Sequence, residues 1–266
     1  MLKYVRAGLI VGPRIIFTLL FKLNRYAKHP ERYPLEKRYK CVRNLIIHII
    51  KAFRPEWKVE GLEKYKSLTK DGKKVLLVGN HASFNDALSM IAISEEPIAF
   101  VAKVETKKMF VVGKAAMAID CLFMDRSDLR QSLKIIREAS ERLKNGVQNI
   151  LIFPEGTRRK EIRGPLNEMH AGSLKAGTLA GVPILTFAAL GNYRVLSKKY
   201  NYKRHPIQYR FLKTYLPEEY KGKDTTIFIE EIRQNIQENI CEMLKIDDEY
   251  IANNHHKKPL RKGPLL

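Results

Sequence analysis

Apolar residues fall into two patterns along this chain: short solid runs and stripes at helical spacing. Solid runs occupy residues 75–78, 98–102, 121–124, 149–153 and 183–190. Each is short and bounded by polar, glycine or proline residues, which predicts strands buried on both faces. Residues 207–216 alternate in places and predict a sixth strand near a sheet edge. Helices are predicted between them, at about 84–93, from 127 or 128 to 144, at 174–180 and at 225–245. In the second of these, Leu129, Leu133, Ile136, Ala139 and Leu143 share one face, and Asn145-Gly146 stops the helix. Ser127 or Asp128 supplies its cap. This alternation predicts an α/β fold, a mostly parallel mixed sheet flanked by helices, with functional loops beyond the carboxyl ends of the strands.

The first quarter of the chain reads differently. An apolar run at 15–21 follows Lys3, Arg6, Pro13 and Arg14. A second helix is predicted over 34–53, where Leu35, Tyr39, Val42, Ile46, Ile49 and Phe53 form a stripe widened by Leu45 and Ile50. With a polar linker at 24–33 the two make an N-terminal amphipathic helical hairpin. Such a hairpin either packs on the core or lies in a membrane interface, its cations on anionic headgroups. Arg14 breaks the first apolar run, which argues against a signal peptide and against a full span. The expected division is a membrane-associating hairpin at 1–58, an α/β domain at 59–246 and a basic tail at 247–266.

Charge sharpens this picture. The 266 residues carry 49 Lys and Arg against 28 Asp and Glu, a formal net charge of +21. Residues 1–60 hold 14 basic and 4 acidic side chains, a net of +10. Further basic runs lie at 194–213 and 255–262. Anionic partners are favoured: a membrane surface, an acidic carrier protein or nucleic acid. No nucleic-acid-binding signature accompanies the charge, so no nucleic acid is expected. Cys41, Cys121 and Cys241 are widely spaced, form no metal or redox motif, and suit structural thiols in a reducing compartment.

Two polar loops follow predicted strands. In Asn80-His81-Ala82-Ser83-Phe84-Asn85-Asp86, a spacing of five would set His81 and Asp86 about 140° apart on one helix. With His81 in the loop and Asp86 in the first helical turn, the carboxylate can fold back onto Nδ1 and leave Nε2 as a base. A His–Asp pair without a Ser or Cys nucleophile suits direct deprotonation of a substrate hydroxyl. The spacing alone equally fits a helix-start histidine bonded to a nearby carboxylate. The second loop is Phe153-Pro154-Glu155-Gly156-Thr157-Arg158. Gly156 permits close backbone approach, Thr157 offers a hydroxyl, and Arg158 offers a planar fork for phosphate oxygens. Arg159, Lys160 and Arg163 add positive potential. Lys103 and Arg126 follow two other strands, so three cations sit after three strands, as an anionic substrate would require.

These residues resemble a family. Asn80-His81 to Asp86 looks like the H-x4-D motif of glycerolipid acyltransferases, and Phe153 to Arg158 like their F-P-E-G-T-R block. Phe123 to Arg126 and Val182-Pro183-Ile184 are similar to two further blocks, in the same order, and Leu174-Lys175-Ala176-Gly177 to a further shared segment. The resemblance covers about 75–190 and is closest to the bacterial 1-acylglycerol-3-phosphate acyltransferases. It implies transfer of a fatty acyl chain from acyl-CoA or acyl carrier protein to the 2-hydroxyl of a lysophosphatidate. His81 would be the general base and Asp86 its orienting partner. Lys103, Arg126, Glu155, Gly156, Thr157 and Arg158 would bind the glycerol phosphate. No cofactor or metal is implied beyond the acyl-donor co-substrate. Backbone N–H groups at the start of the helix after His81 could hold the oxyanion. Thr186 and Arg159 depart from the usual pattern, at places where relatives carry proline and often serine. The expected location is the cytoplasmic face of the cell membrane, peripheral or monotopic. Two rivals stay open: an acyltransferase for another lysolipid, such as a lyso-ornithine lipid, and a non-enzymatic basic module binding membrane or nucleic acid.

Overall fold

The computed structural model describes residues 2–195, 197, 200 and 204–253. The basic tail at 255–262 lies outside the described residues, as do Lys198, Lys199 and Lys203 of the run at 194–213, and the side chains of Lys3 and Arg6. Seven strands form one sheet in the order β1-β7-β6-β2-β5-β3-β4. They are β1 (Pro55–Glu60), β2 (Leu76–Gly79), β3 (Ile98–Lys103), β4 (Leu122–Met124), β5 (Asn149–Ile152), β6 (Ile184–Leu190) and β7 (His205–Tyr215). All neighbours pair parallel except β6 with β7. The mostly parallel mixed sheet is therefore present. The solid apolar runs explain its centre: β2, β5 and β6 are buried throughout, because helices cover both faces.

Several elements were not anticipated. Strand β1 forms the edge, with β7 second from it, near the edge as expected. Its sequence, Pro-Glu-Trp-Lys-Val-Glu, is half charged, and all but one of its residues are half-buried. Helices α4 (Leu62–Thr69) and α6 (Phe110–Ala118) were also unforeseen. The sheet thus begins before residue 59. At the other end the last helix, α11 (Thr225–Asn253), runs past 246, and its Asp247 is buried against Arg194. The other helices match their expected places within a few residues: α5 (Asn85–Ile93), α7 (Leu129–Lys144) and α8 (Lys175–Ala180). Asp128 caps α7 by accepting from the Gln131 N–H. Short helices α9 (Asn192–Val195) and α10 (Pro217–Tyr220) flank β7.

The N-terminal hairpin forms, with different faces from those expected. Helix α1 (Leu2–Thr18) continues through a π-helical turn, Leu19–Leu23, into α2 (Asn24–Lys28), so most of the expected linker is helical. Helix α3 (Leu35–Ala52) buries Tyr39, Val42, Leu45, Ile46 and Ile50 in the main core. Its stripe is therefore core packing. Arg38, off the stripe, is buried and donates to both oxygens of Asp120. The exposed apolar residues lie on α1 instead: Val5, Leu9, Ile16 and Phe17 are all more than half exposed, as are Leu20 and Phe21 in the π turn. Despite Arg14, the helix from Ala7 to Lys28 is long and apolar enough to cross a membrane by length and composition. Cys41, Cys121 and Cys241 are free thiols, and burial pushes Cys121 up to about 12.

Candidate active site

The sheet brings the two polar loops together. Strands β2 and β5 pair parallel with Val78 opposite Ile152, so the chain leaves both strands at the same edge. Gly79 sits where a Cβ would lie 2.3 Å from the Phe187 ring, so the strand can end there only as glycine. Asn80 is fully buried, and its side-chain amide pairs with Ala189 of β6 through both of its polar atoms, at 2.9 and 2.8 Å. That two-point attachment continues the ladder by one residue and delivers His81 to a fixed place.

His81 and Asp86 then meet as the spacing requires. The His81 Nδ1–H donates to Asp86 Oδ2 at 3.0 Å. A carboxylate can only accept, which puts the proton on Nδ1 and leaves Nε2 with its lone pair. The same Oδ2 accepts from the N–H groups of Ala82 and Ser83, each at 2.7 Å. Asp86 is buried, whereas the His81 side chain keeps 18% exposure. The imidazole stacks on Phe153 with ring centres 4.2 Å apart. Behind the pair, Tyr209 Oη donates to the Asp86 carbonyl and accepts from Asn192, which in turn accepts from Ser89. The amides of Ala82 and Ser83 are spent on Asp86, so they are not available to an oxyanion. That removes two of the N–H groups near the start of the helix from those expected to hold an oxyanion.

The second loop supports the first. Glu155 is buried, and its two oxygens accept from the His81 N–H at 2.7 Å and the Asn167 N–H at 3.0 Å. It is thus a strut for the His81 loop, with no oxygen turned to a ligand. Burial raises its pKa above the ordinary carboxylate value, against the two N–H donors and the Arg159 charge. Gly156 closes a turn back to Phe153 at a φ of 67°. Thr157 and Arg158 follow it on the surface, and their side chains make no hydrogen bond or ion pair among the described residues. Arg159 turns inward: its N–H donates to the His81 carbonyl at 2.9 Å, and its guanidinium is buried on the Gly164 carbonyl.

A cavity of about 340 Å³ opens beside Phe153. Its walls are mostly apolar, from Val101, Met124, Leu129, Leu133 and Ile136, with Arg126, Gly156, His170, Ser173 and Lys175 as the polar part. Arg126 lines this cavity and is exposed as a residue. Partial burial of its guanidinium pulls its pKa below the usual arginine value, and Glu105 opposes this. Lys103 closes β3 beside β4, where it is exposed and ion-paired with Glu105 at 2.7 Å. The structure thus joins His81, Asp86 and Glu155 by direct contact and sets Gly156 and Arg126 on one cavity. It leaves Thr157, Arg158 and Lys103 exposed. Sequence reasoning passed over Asn80 as a positioning group, Phe153 as the stacking partner, and His170. The long-range contacts that define the first two had no signal in the chain.

Comparison with known proteins agrees with this geometry. A family model described as Acyltransferase matches residues 56–189. A Mycoplasma genitalium protein named "Probable 1-acyl-sn-glycerol-3-phosphate acyltransferase" is 30% identical over 212 residues, covering 75% of this chain and 74% of that one. One of the same name from Mycoplasma pneumoniae is 28% identical over 190 residues, 70% and 68% of the two chains. The crystal structure of the 1-acyl-sn-glycerophosphate (LPA) acyltransferase PlsC from Thermotoga maritima shares the fold. Its TM-score is 0.59 at 23% identity, over 88% of this chain and 91% of that one. With the family model matched across the strands and loops that carry the His–Asp pair, this chain belongs to the acyltransferase family of enzymes.

Proposed function

We propose that the protein acylates the 2-hydroxyl of 1-acyl-glycerol-3-phosphate, taking the fatty acyl chain from acyl-CoA or acyl carrier protein and releasing phosphatidate. One observation carries the reading: a histidine with its Nδ1 proton committed to a buried carboxylate and its ring stacked on Phe153, which lines an apolar cavity that also holds an arginine. Nε2 takes the hydroxyl proton as the oxygen attacks the thioester carbon, and the thiol leaves. Asp86 holds the ring in that tautomer and balances the imidazolium. Arg126 on the cavity, with the exposed Arg158 and Lys103, attracts the acceptor phosphate. The thioester donor is the co-substrate, and the scheme calls on no cofactor. The exposed apolar face of α1 would hold the enzyme at the cytoplasmic face of the cell membrane as a monotopic protein. The names of the Mycoplasma relatives favour this acceptor over other lysolipids.

The test uses purified protein, labelled lysophosphatidate and each donor in turn. Wild type should yield phosphatidate. His81→Ala should lower kcat by roughly 10²–10⁴-fold, the usual size of a general-base contribution. Near-normal turnover by His81→Ala would end the mechanism, and faster acylation of a phosphate-free lysolipid would end the acceptor assignment.

A further inference from the structure

One surface feature is not used by this scheme. The chain between β3 and α6 forms a 3-10 turn, Val104–Lys108, followed by Met109 and Phe110. Phe110 is 68% exposed and Met109 46%, and Lys107 and Lys108 beside them are exposed as well. Scattered exposed apolar residues are ordinary. Neighbouring apolar tips flanked by lysines on one projecting turn are the arrangement of an interfacial lipid contact.

The turn is held firmly. Gly113 lies so close under it that a Cβ there would be 2.3 Å from the Lys107 carbonyl oxygen. The Gly113 N–H donates to the Met109 carbonyl at 2.7 Å. On one side the turn joins the N-terminal helices. Lys114 lies over the Phe110 ring at 4.7 Å and donates to Asn24 of α2. Helix α6 packs on the π-helical turn that exposes Leu20 and Phe21. On the other side Lys107 lies over Phe123 of β4, at 5.7 Å from the ring centre. Met124 and Arg126, next in the chain, line the cavity beside Phe153.

We propose that this turn is a second lipid-contacting point: Met109 and Phe110 enter the acyl region of an anionic bilayer and Lys107 and Lys108 rest on its headgroups. It rests on the reading of the protein as a lysolipid acyltransferase, and it adds a threshold between the bilayer and the cavity. A bilayer fits better than an acidic carrier protein, because Lys114 and α6 tie the turn to the helices that carry the exposed apolar residues of α1 and the π turn. A carrier docking through charge would use the lysines and leave the two apolar tips in water.

The experiment compares full-length wild type with the double variant Met109→Ser, Phe110→Ser, and with Ile227→Ser as a control at a remote exposed site. Sedimentation is measured with vesicles of phosphatidylglycerol and phosphatidylcholine. The double variant should lose about tenfold in partitioning, as removal of inserted apolar groups predicts. The control should not change. With lysophosphatidate presented in vesicles, its apparent KM should rise by a similar factor, while turnover of a short-chain, water-soluble lysophosphatidate stays the same. A second variant, Phe110→Trp, should show an emission shift to the blue on vesicles and quenching by brominated acyl chains. Unchanged partitioning with no quenching would overturn the proposal. So would equal losses on both acceptors, or a loss confined to carrier-protein donors with vesicle binding intact. Should wild type acylate nothing, the functional reading fails, yet partitioning and quenching still report on the turn.

Discussion

Replacing Asp86 with asparagine tests the core of the proposed chemistry while changing almost no volume. In the structure one oxygen of Asp86 serves three donors: the His81 Nδ1–H and the N–H groups of Ala82 and Ser83. An amide can offer its oxygen to those two backbone donors, so the loop should survive. Each of those bonds becomes neutral, which costs about 1 kcal/mol apiece. The larger effect falls on the imidazolium. A unit charge facing a carboxylate at about 4 Å, with an effective dielectric constant of about 20, gains roughly 4 kcal/mol. That attraction exists only once Nε2 has taken the proton, so its loss raises the barrier and leaves ground-state binding alone. About 3–4 kcal/mol corresponds to a fall in kcat of roughly 10²–10³-fold. If the amide turns its NH2 toward Nδ1, the wrong tautomer is selected and the loss is at least as large. The assay is steady-state acylation of lysophosphatidate, with Tm followed by circular dichroism. The expected outcome is a large fall in kcat, KM within about threefold of wild type, and a Tm only a few degrees lower. Normal kcat with a raised KM would refute the reasoning, because Asp86 would then be acting on substrate binding.

Two further outcomes are open to measurement. Glu155 has a raised pKa through burial, so its contribution to stability is fully present below the ordinary value of 4.5 and is lost as pH rises through the folded value. Glu155→Gln should therefore flatten the fall in Tm above about pH 4.5, and identical profiles for the two proteins would contradict the assigned cause. Arg126→Lys and Arg158→Lys keep charge but remove the planar fork. Both should lower kcat/KM on lysophosphatidate with little effect on a phosphate-free acceptor, and Arg126, on the cavity wall, should show the greater loss. An equal loss on both acceptors would assign the residue to the donor or to the fold.

The parts legible in the sequence are those whose signal is local. Strands β2, β5 and β6 announce themselves because both faces are buried and, Asn149 apart, every residue is apolar or small. Helix α7 carries its cap, its stripe and its stop within the chain. His81 and Asp86 were legible because one loop and one helical turn bring them together. Strand β1 was not, since an edge strand with one half-covered face can hold Glu56, Lys58 and Glu60 at no cost. Helix α6 was missed because Gly113, Ala115, Ala116 and Ala118 pack by smallness and give no stripe. The stripe on α3 was legible as amphipathic, but nothing in periodicity tells a core from a bilayer. Only the contacts of Tyr39, Val42 and Ile46 decide that. Glu155 shows the same limit: its role depends on the His81 and Asn167 amides, 74 and 12 residues away.

The buried pair between Arg194 and Asp247 bears on how the protein is made. Both side chains are at most 1% exposed, and they stand 53 residues apart in sequence. Arg194 belongs to α9, whose Asn192 braces Ser89 and Tyr209 behind the Asp86 turn. As the chain leaves the ribosome, the sheet is complete once Tyr215 has emerged, yet the guanidinium that the finished fold buries still waits for the carboxylate that balances it. An unbalanced buried charge is strongly destabilising. The nascent domain therefore stays loose around α9 until α11 arrives, and the brace behind the histidine tightens only then. A chain cut short before residue 247 would reach the cell with its strands in place and its catalytic turn unsupported, and would pass to proteases before meeting a substrate.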